Sequence, residues 1–159
     1  MINENPLLKN LNTPYKLAPF DKVLDHHFSD ALEKAIEDEL SEIQDICDNP
    51  DPPTFDNTIH AILKSGKLLD RVLSTFYTLV SANSNDQREK LMMEFSPKLA
   101  SHASKITSNQ KLFSRIQELF EKIESLDLLP EQYRLLEKIY RDYTRAGASL
   151  NVKNKERMK

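Results

Sequence analysis

The residues able to hold a metal or activate water are few and scattered. Four histidines, His26, His27, His60 and His102, are the nitrogen ligands on offer. A zinc hydrolase needs a His-Glu-x-x-His pair one helical turn apart, so that two imidazoles face one ion and the glutamate acts as general base. No two of these histidines stand three or four residues apart. His26 with Asp30 shares a helical face, but two ligands do not make a closed site. The spacing reads more simply as His26 and His27 in a first helical turn, and His60 and His102 at partly exposed helix positions.

Cys47 is the single cysteine, so no internal disulfide can form. No basic neighbour in sequence lowers its pKa and it ends an apolar stripe, which predicts a buried structural thiol rather than a nucleophile. Only Gly66 and Gly147 are glycines, too few for a phosphate loop, a dinucleotide fingerprint or a nucleophile elbow. Met92 and Met93 read as core filling. The expectation is therefore no catalytic, cofactor-binding or metal-binding residue in these 159 residues.

The elements that would position such groups are helices. From Pro52 to Ala82, Phe55, Ile59, Ile62, Gly66, Leu69, Leu73, Phe76 and Val80 recur at alternating spacings of four and three, one apolar stripe over about seven turns. Leu63, Val72 and Leu79 widen it. Thr54 is the expected cap with Asp56 in the first turn, and the spacing predicts one long helix over 55–81 as the centre of the fold. Gly66 on that stripe suggests close approach of another helix.

Before it, Asp25 should cap a helix that the NPDPP run (Asn49 to Pro53) stops. After it, Ser84 and Gln87 match a capping box, and Pro97 should kink or split the helix they open. A further helix starts near Ser108 or Asn109, and Pro130 suits a first helical position. Leu129, Tyr133, Leu136, Tyr140, Tyr143, Gly147 and Leu150 then form a second regular stripe. Asn151 could cap one more helix, which NVKNKERMK only begins.

The expected fold is all-α, with about five to six helices in an antiparallel array. Residues 1–19, with Pro6, Pro14 and Pro19, read as an extended arm whose anchors would be Leu7, Leu8, Leu11, Tyr15 and Leu17. Residues 20–147 read as the helical domain and 148–159 as the start of a truncated helix.

A composition of 39% hydrophobic and 30% charged residues suits a soluble helical protein. No run approaches the roughly 20 apolar residues of a membrane span, and no secretory signal is visible, which points to the cytoplasm. The net charge of −3 hides an acidic stretch of −8 between Asp21 and Asp48. From Arg134 to Lys159 there are eight basic and three acidic residues. A solvated helix face explains that excess better than nucleic-acid binding does.

NPLL (Asn5 to Leu8), PFDKV (Pro19 to Val23), HHF (His26 to Phe28), NPDPPTFDNTI (Asn49 to Ile59), SGKLLDRV (Ser65 to Val72) and RAGASL (Arg145 to Leu150) occur in this order. In that order they resemble the N-terminal region of the thimet-oligopeptidase family of zinc metallopeptidases. HHF and AGASL lean toward the peptidyl-dipeptidase branch rather than the oligopeptidase A branch. The resemblance implies a nearly all-helical enzyme with a deep channel, of which this region forms one wall. It also implies a zinc site beyond residue 159, an oligopeptide substrate, release of C-terminal dipeptides in the cytoplasm, and a missing catalytic half as partner. The other class left open is a free-standing helical interaction module.

Overall fold

The computed structural model describes residues 5–9, 13, 15 and 17–149. The expectations placed on Leu11, Leu150, Asn151 and a helix begun after residue 150 lie outside these residues. Among the described residues the fold is all-α, with no strand. A 3-10 turn, Pro6–Leu8, precedes α1 (His27–Asp48). A π-helical turn, Phe55–His60, runs into the short α2 (Ala61–Lys64), followed by α3 (Lys67–Ala82) and α4 (Asp86–Thr107). Then come α5 (Gln110–Glu121), a second 3-10 turn (Ile123–Ser125) and α6 (Pro130–Arg145). The chain divides into two compact units, Met1–Glu42 with Gly66–Ala100, and Ile43–Ser65 with Ser101–Lys159.

The predicted single helix over 55–81 is broken. Thr54 does cap its start, accepting from the Asn57 N–H at 3.0 Å, but what it opens is a π turn. At the far end of α2 the Ser65 N–H turns back to the Ala61 and Ile62 carbonyls. Gly66 then takes φ +70°, a left-handed conformation that L side chains rarely adopt. Its N–H donates to Glu42 Oε2 at 2.8 Å. A β-carbon at this position would lie 2.6 Å from the Glu39 carboxyl. The close neighbour that needs a glycine is thus a carboxylate and not a second helix backbone. The longest helices are α1 and α4, with 22 residues each. Pro97 stays inside an unbroken α4.

The first unit is built on three rings. Phe28, Phe76 and Phe95 are fully buried, with Phe76 at 5.1 Å from Phe28 and 5.0 Å from Phe95, centroid to centroid. Tilted and edge-on contacts of this kind add about 0.5–1.5 kcal/mol per pair to the burial itself. Ala31, Leu32, Ala35, Leu69, Val72 and Leu91 fill the space around them. Met92 packs against this core as expected, but Met93 is exposed, as is Leu63 beside the broken stripe.

Of the expected anchors of the arm, Leu7 is buried and Leu8 half-buried, while Tyr15 and Leu17 are exposed. Leu7 is held by its own turn. Asn5 Oδ1 caps the Leu7 N–H at 3.0 Å, Asn5 Nδ2 donates to the His27 carbonyl at 2.7 Å, and Arg71 Nη2 donates to the Leu7 carbonyl at 2.8 Å.

Two of the expected caps are reassigned by tertiary contacts. Asp25 does not cap α1, because its carboxylate is taken by Arg88 Nε at 2.7 Å and Asn85 Nδ2 at 2.9 Å. The chain enters α1 with the Leu24 N–H donating to His27 Nδ1 at 3.0 Å. Asn85, not Ser84 with Gln87, caps α4, accepting from the Arg88 N–H at 2.8 Å.

Burial works to raise the Asp25 carboxyl, but the hydrogen bonds from Asn85 and Arg88 outweigh it and hold the group below its ordinary value. A carboxyl depressed on folding stabilises the protein above its unfolded pKa, and that stability is lost as pH falls through the folded value. Asp25→Ala should therefore cost about 1–3 kcal/mol near neutral pH. The gap to the parent should narrow in acid, below roughly pH 4. Urea unfolding across that range is the check, and a gap unchanged with pH would contradict it.

Gly66→Ala should cost about 1–3 kcal/mol through its torsion, and more if Glu39 cannot retreat. Leu69, 6% exposed, should lose about 2–5 kcal/mol as alanine. Both losses are read from denaturation midpoints, and a Gly66→Ala protein as stable as the parent would refute the role given to the break.

Candidate functional site

The histidines do not converge. His26 and His27 lie ring to ring at 4.3 Å, and burial together with the charge of His26 holds His27 below its ordinary pKa. His60 is exposed, 3.5 Å from Asp56 one turn back on the same surface. His102, expected at a partly exposed position, is buried at 5% exposure. Among the described residues, no three of His, Cys, Asp and Glu gather closely enough to hold a metal ion. These residues therefore do not fit a zinc site.

Cys47 is half-buried against the second core rather than fully enclosed. Burial first, and Asp48 beside it, push its thiol up more than Lys111 and Arg115 pull it down. Lys111 Nζ is committed to Asp48 Oδ1 at 2.8 Å. The thiolate is the reactive form, so Cys47 is poorly suited to nucleophilic work near pH 7.

The second unit gathers Ile43, Ile46, Ile59, Leu112, Ile116, Leu119, Leu136, Tyr143 and Ala148. α5 begins where the sequence indicates, with Asn109 Oδ1 accepting from the Leu112 N–H at 3.1 Å, and α6 begins at Pro130. Arg115 sits within the apolar phase of α5 and is 9% exposed. Its guanidinium donates to the Asn49 carbonyl at 3.0 Å, the Asp51 carbonyl at 3.2 Å and Asn57 Oδ1 at 3.0 Å. Pro50, Pro52 and Pro53 remove N–H donors from that connection. The planar fork of one arginine satisfies the carbonyls they leave. Sequence reading missed Arg115, although a cation in phase with Leu112, Ile116 and Leu119 was the available signal.

Among the described residues, α6 ends at Arg145, before the last positions of the predicted stripe. Gly147, at φ +85°, stops α6. The Gly147 N–H returns to the Thr144 carbonyl and the Ala148 N–H to the Tyr143 carbonyl, each at 3.0 Å. This double return satisfies the last carbonyls of the helix. Gln110 Nε2 adds a bond to the Ala148 carbonyl at 2.7 Å. Leu136 and Tyr143 are buried as the stripe requires, Tyr133 and Tyr140 are half-buried, and Leu129 is exposed.

A concave feature with aromatic and charged lining lies on α6 and the end of α5. Phe120, Glu137, Tyr140, Arg141, Thr144 and Arg145 line an open cleft of about 450 Å³. Phe120 and Tyr140 stack at 3.9 Å with their planes 6° apart. Phe113 lies on Tyr140 at 5.8 Å. Such a cleft can take an apolar side chain and an anion. Its one carboxylate, Glu137, has no paired acid or histidine in the lining.

Comparison with family models gives no match. Among individual proteins, the chain is 37% identical over 159 residues to dipeptidyl carboxypeptidase of Escherichia coli (strain K12). The match covers 100% of this chain and 23% of that protein. Dipeptidyl carboxypeptidase of Salmonella typhimurium is 35% identical over 158 residues, covering 99% of this chain and again 23% of the relative. Oligopeptidase A of E. coli (strain K12) is 23% identical over 153 residues, covering 96% of this chain and 22% of the relative. The chain thus resembles dipeptidyl carboxypeptidase along its whole length, and oligopeptidase A more distantly. It spans less than a quarter of the length of these curated relatives.

The raised thiol gives a direct test of Cys47. Its alkylation by iodoacetamide at pH 7.5 should be about tenfold or more slower than that of a free cysteine peptide, and should rise steeply only in alkali. A rate equal to that of the peptide would contradict its burial.

Proposed function

We propose that this chain is the N-terminal, non-catalytic helical part of a zinc metallopeptidase resembling dipeptidyl carboxypeptidase. In its full-length form, such an enzyme hydrolyses oligopeptides in the cytoplasm and releases C-terminal dipeptides. In this reading residues 20–147 form one wall of the substrate channel, 1–19 are an arm, and 148–159 lead toward the catalytic part. The zinc belongs to that missing part, which is also the chain's principal partner. Neither nucleic acid nor a membrane enters this reading. The observation that carries it is the match itself: 37% identity over all 159 residues but only 23% of the relative's length.

The sequence has no His-Glu-x-x-His, and the described helices bring no substitute cluster together. A free-standing helical interaction module is the second reading. It draws support from the Gly147 stop, which closes α6 with its carbonyls satisfied.

Release of C-terminal dipeptides from a blocked oligopeptide decides between them. The chain alone should release none and retain no zinc after dialysis. Co-expressed with the remaining three quarters or so of E. coli dipeptidyl carboxypeptidase, it should support turnover that the remainder lacks by itself. Turnover with stoichiometric zinc in the isolated chain would refute the non-catalytic reading. Failure of the pair to gain any activity would favour the free-standing module.

A further inference from the structure

We infer that the α5–α6 cleft is the docking surface by which this chain receives the rest of its parent peptidase, through a segment that pairs an apolar side chain with a carboxylate. The inference rests on the N-terminal reading above and names a surface for it. Its floor is the Phe120–Tyr140 stack, half-buried and open on one side, next to Thr144. An apolar side chain seated there would complete the burial that the stack leaves unfinished.

The rim supplies charge. Arg141 and Arg145 stand one helical turn apart on the exposed edge, and neither forms an ion pair among the described residues. Their charge is felt by Asp142, whose carboxylate is already engaged by Lys138 Nζ at 2.8 Å. Two open guanidinium forks in this position fit a carboxylate, and aromatic residues with arginine are the types that carry interface energy.

The remainder of the parent is the occupant that the observations favour over a second copy of this chain. The relatives extend more than three quarters of their length beyond what this chain matches. A second copy would have to set like-charged arginine rims against each other unless it presented a different face.

Arg141→Glu/Arg145→Glu and Arg141→Lys/Arg145→Lys proteins test this, each checked for parental helicity by circular dichroism. The probe is the co-expressed remainder of E. coli dipeptidyl carboxypeptidase, read by co-elution and by amide exchange over residues 137–147. The parent chain should co-elute with the remainder and gain protection there. The glutamate pair should weaken the complex by about tenfold or more, and the lysine pair by much less.

A complex formed equally well by the glutamate pair, or one that leaves 137–147 unprotected, overturns the docking surface while leaving the N-terminal reading intact. No complex with the parent chain overturns both. A charge-sensitive homodimer in its place would assign the cleft to a second copy and also overturn the proposal.

Discussion

One backbone torsion decides which core each half of the 55–82 segment serves. At Gly66 the chain turns through φ +70°, its N–H passes to Glu42, and the vacant β position is filled by the Glu39 carboxyl. Residues up to Ser65 belong with α5 and α6, and those from Gly66 onward with the phenylalanine core. The π turn over Phe55–His60 and the break at Gly66 together interrupt the single apolar stripe that the spacing predicts.

The second unit depends on a related economy. Its proline-rich connection lacks the N–H donors of Pro50, Pro52 and Pro53, and α5 carries an arginine inside its apolar arc that donates to the Asn49 and Asp51 carbonyls. A buried guanidinium is costly when unpaired and specific when its donors are used. Arg115 places three bonds onto one short connection and so fixes where the π turn begins relative to α5. The same unit closes α6 at Gly147, and the stacked aromatics that remain half-buried there define its open face.

Local signals were legible in the sequence where they depend on neighbours in the chain. Thr54, Asn109 and Pro130 mark helix starts because capping bonds and the fixed proline torsion act within one turn. The all-helical class followed from periodicity. Periodicity reports which face is apolar, however, and not whether the helix is continuous, so it ran through both Gly66 and Gly147. Asp25 and Ser84 had the right residue type for caps, but Arg88 drew Asp25 into an ion pair and Asn85 took the capping bond. His102 shows the same limit, since its burial is set by neighbours that the local pattern does not name. The family resemblance was legible because six short segments fall in register. The cleft was not, because the stacking of Phe120 on Tyr140 is tertiary.

The described residues form two compact units, and the chain matches less than a quarter of the length of dipeptidyl carboxypeptidase, which is the ground for proposing it as part of a larger peptidase. Reading the nucleotide sequence that follows the Lys159 codon tests this most directly. A frame, continuous or interrupted, that encodes His-Glu-x-x-His and a later glutamate is the expected result. Downstream sequence with no such motif in any frame would contradict the assignment of this chain to a larger peptidase.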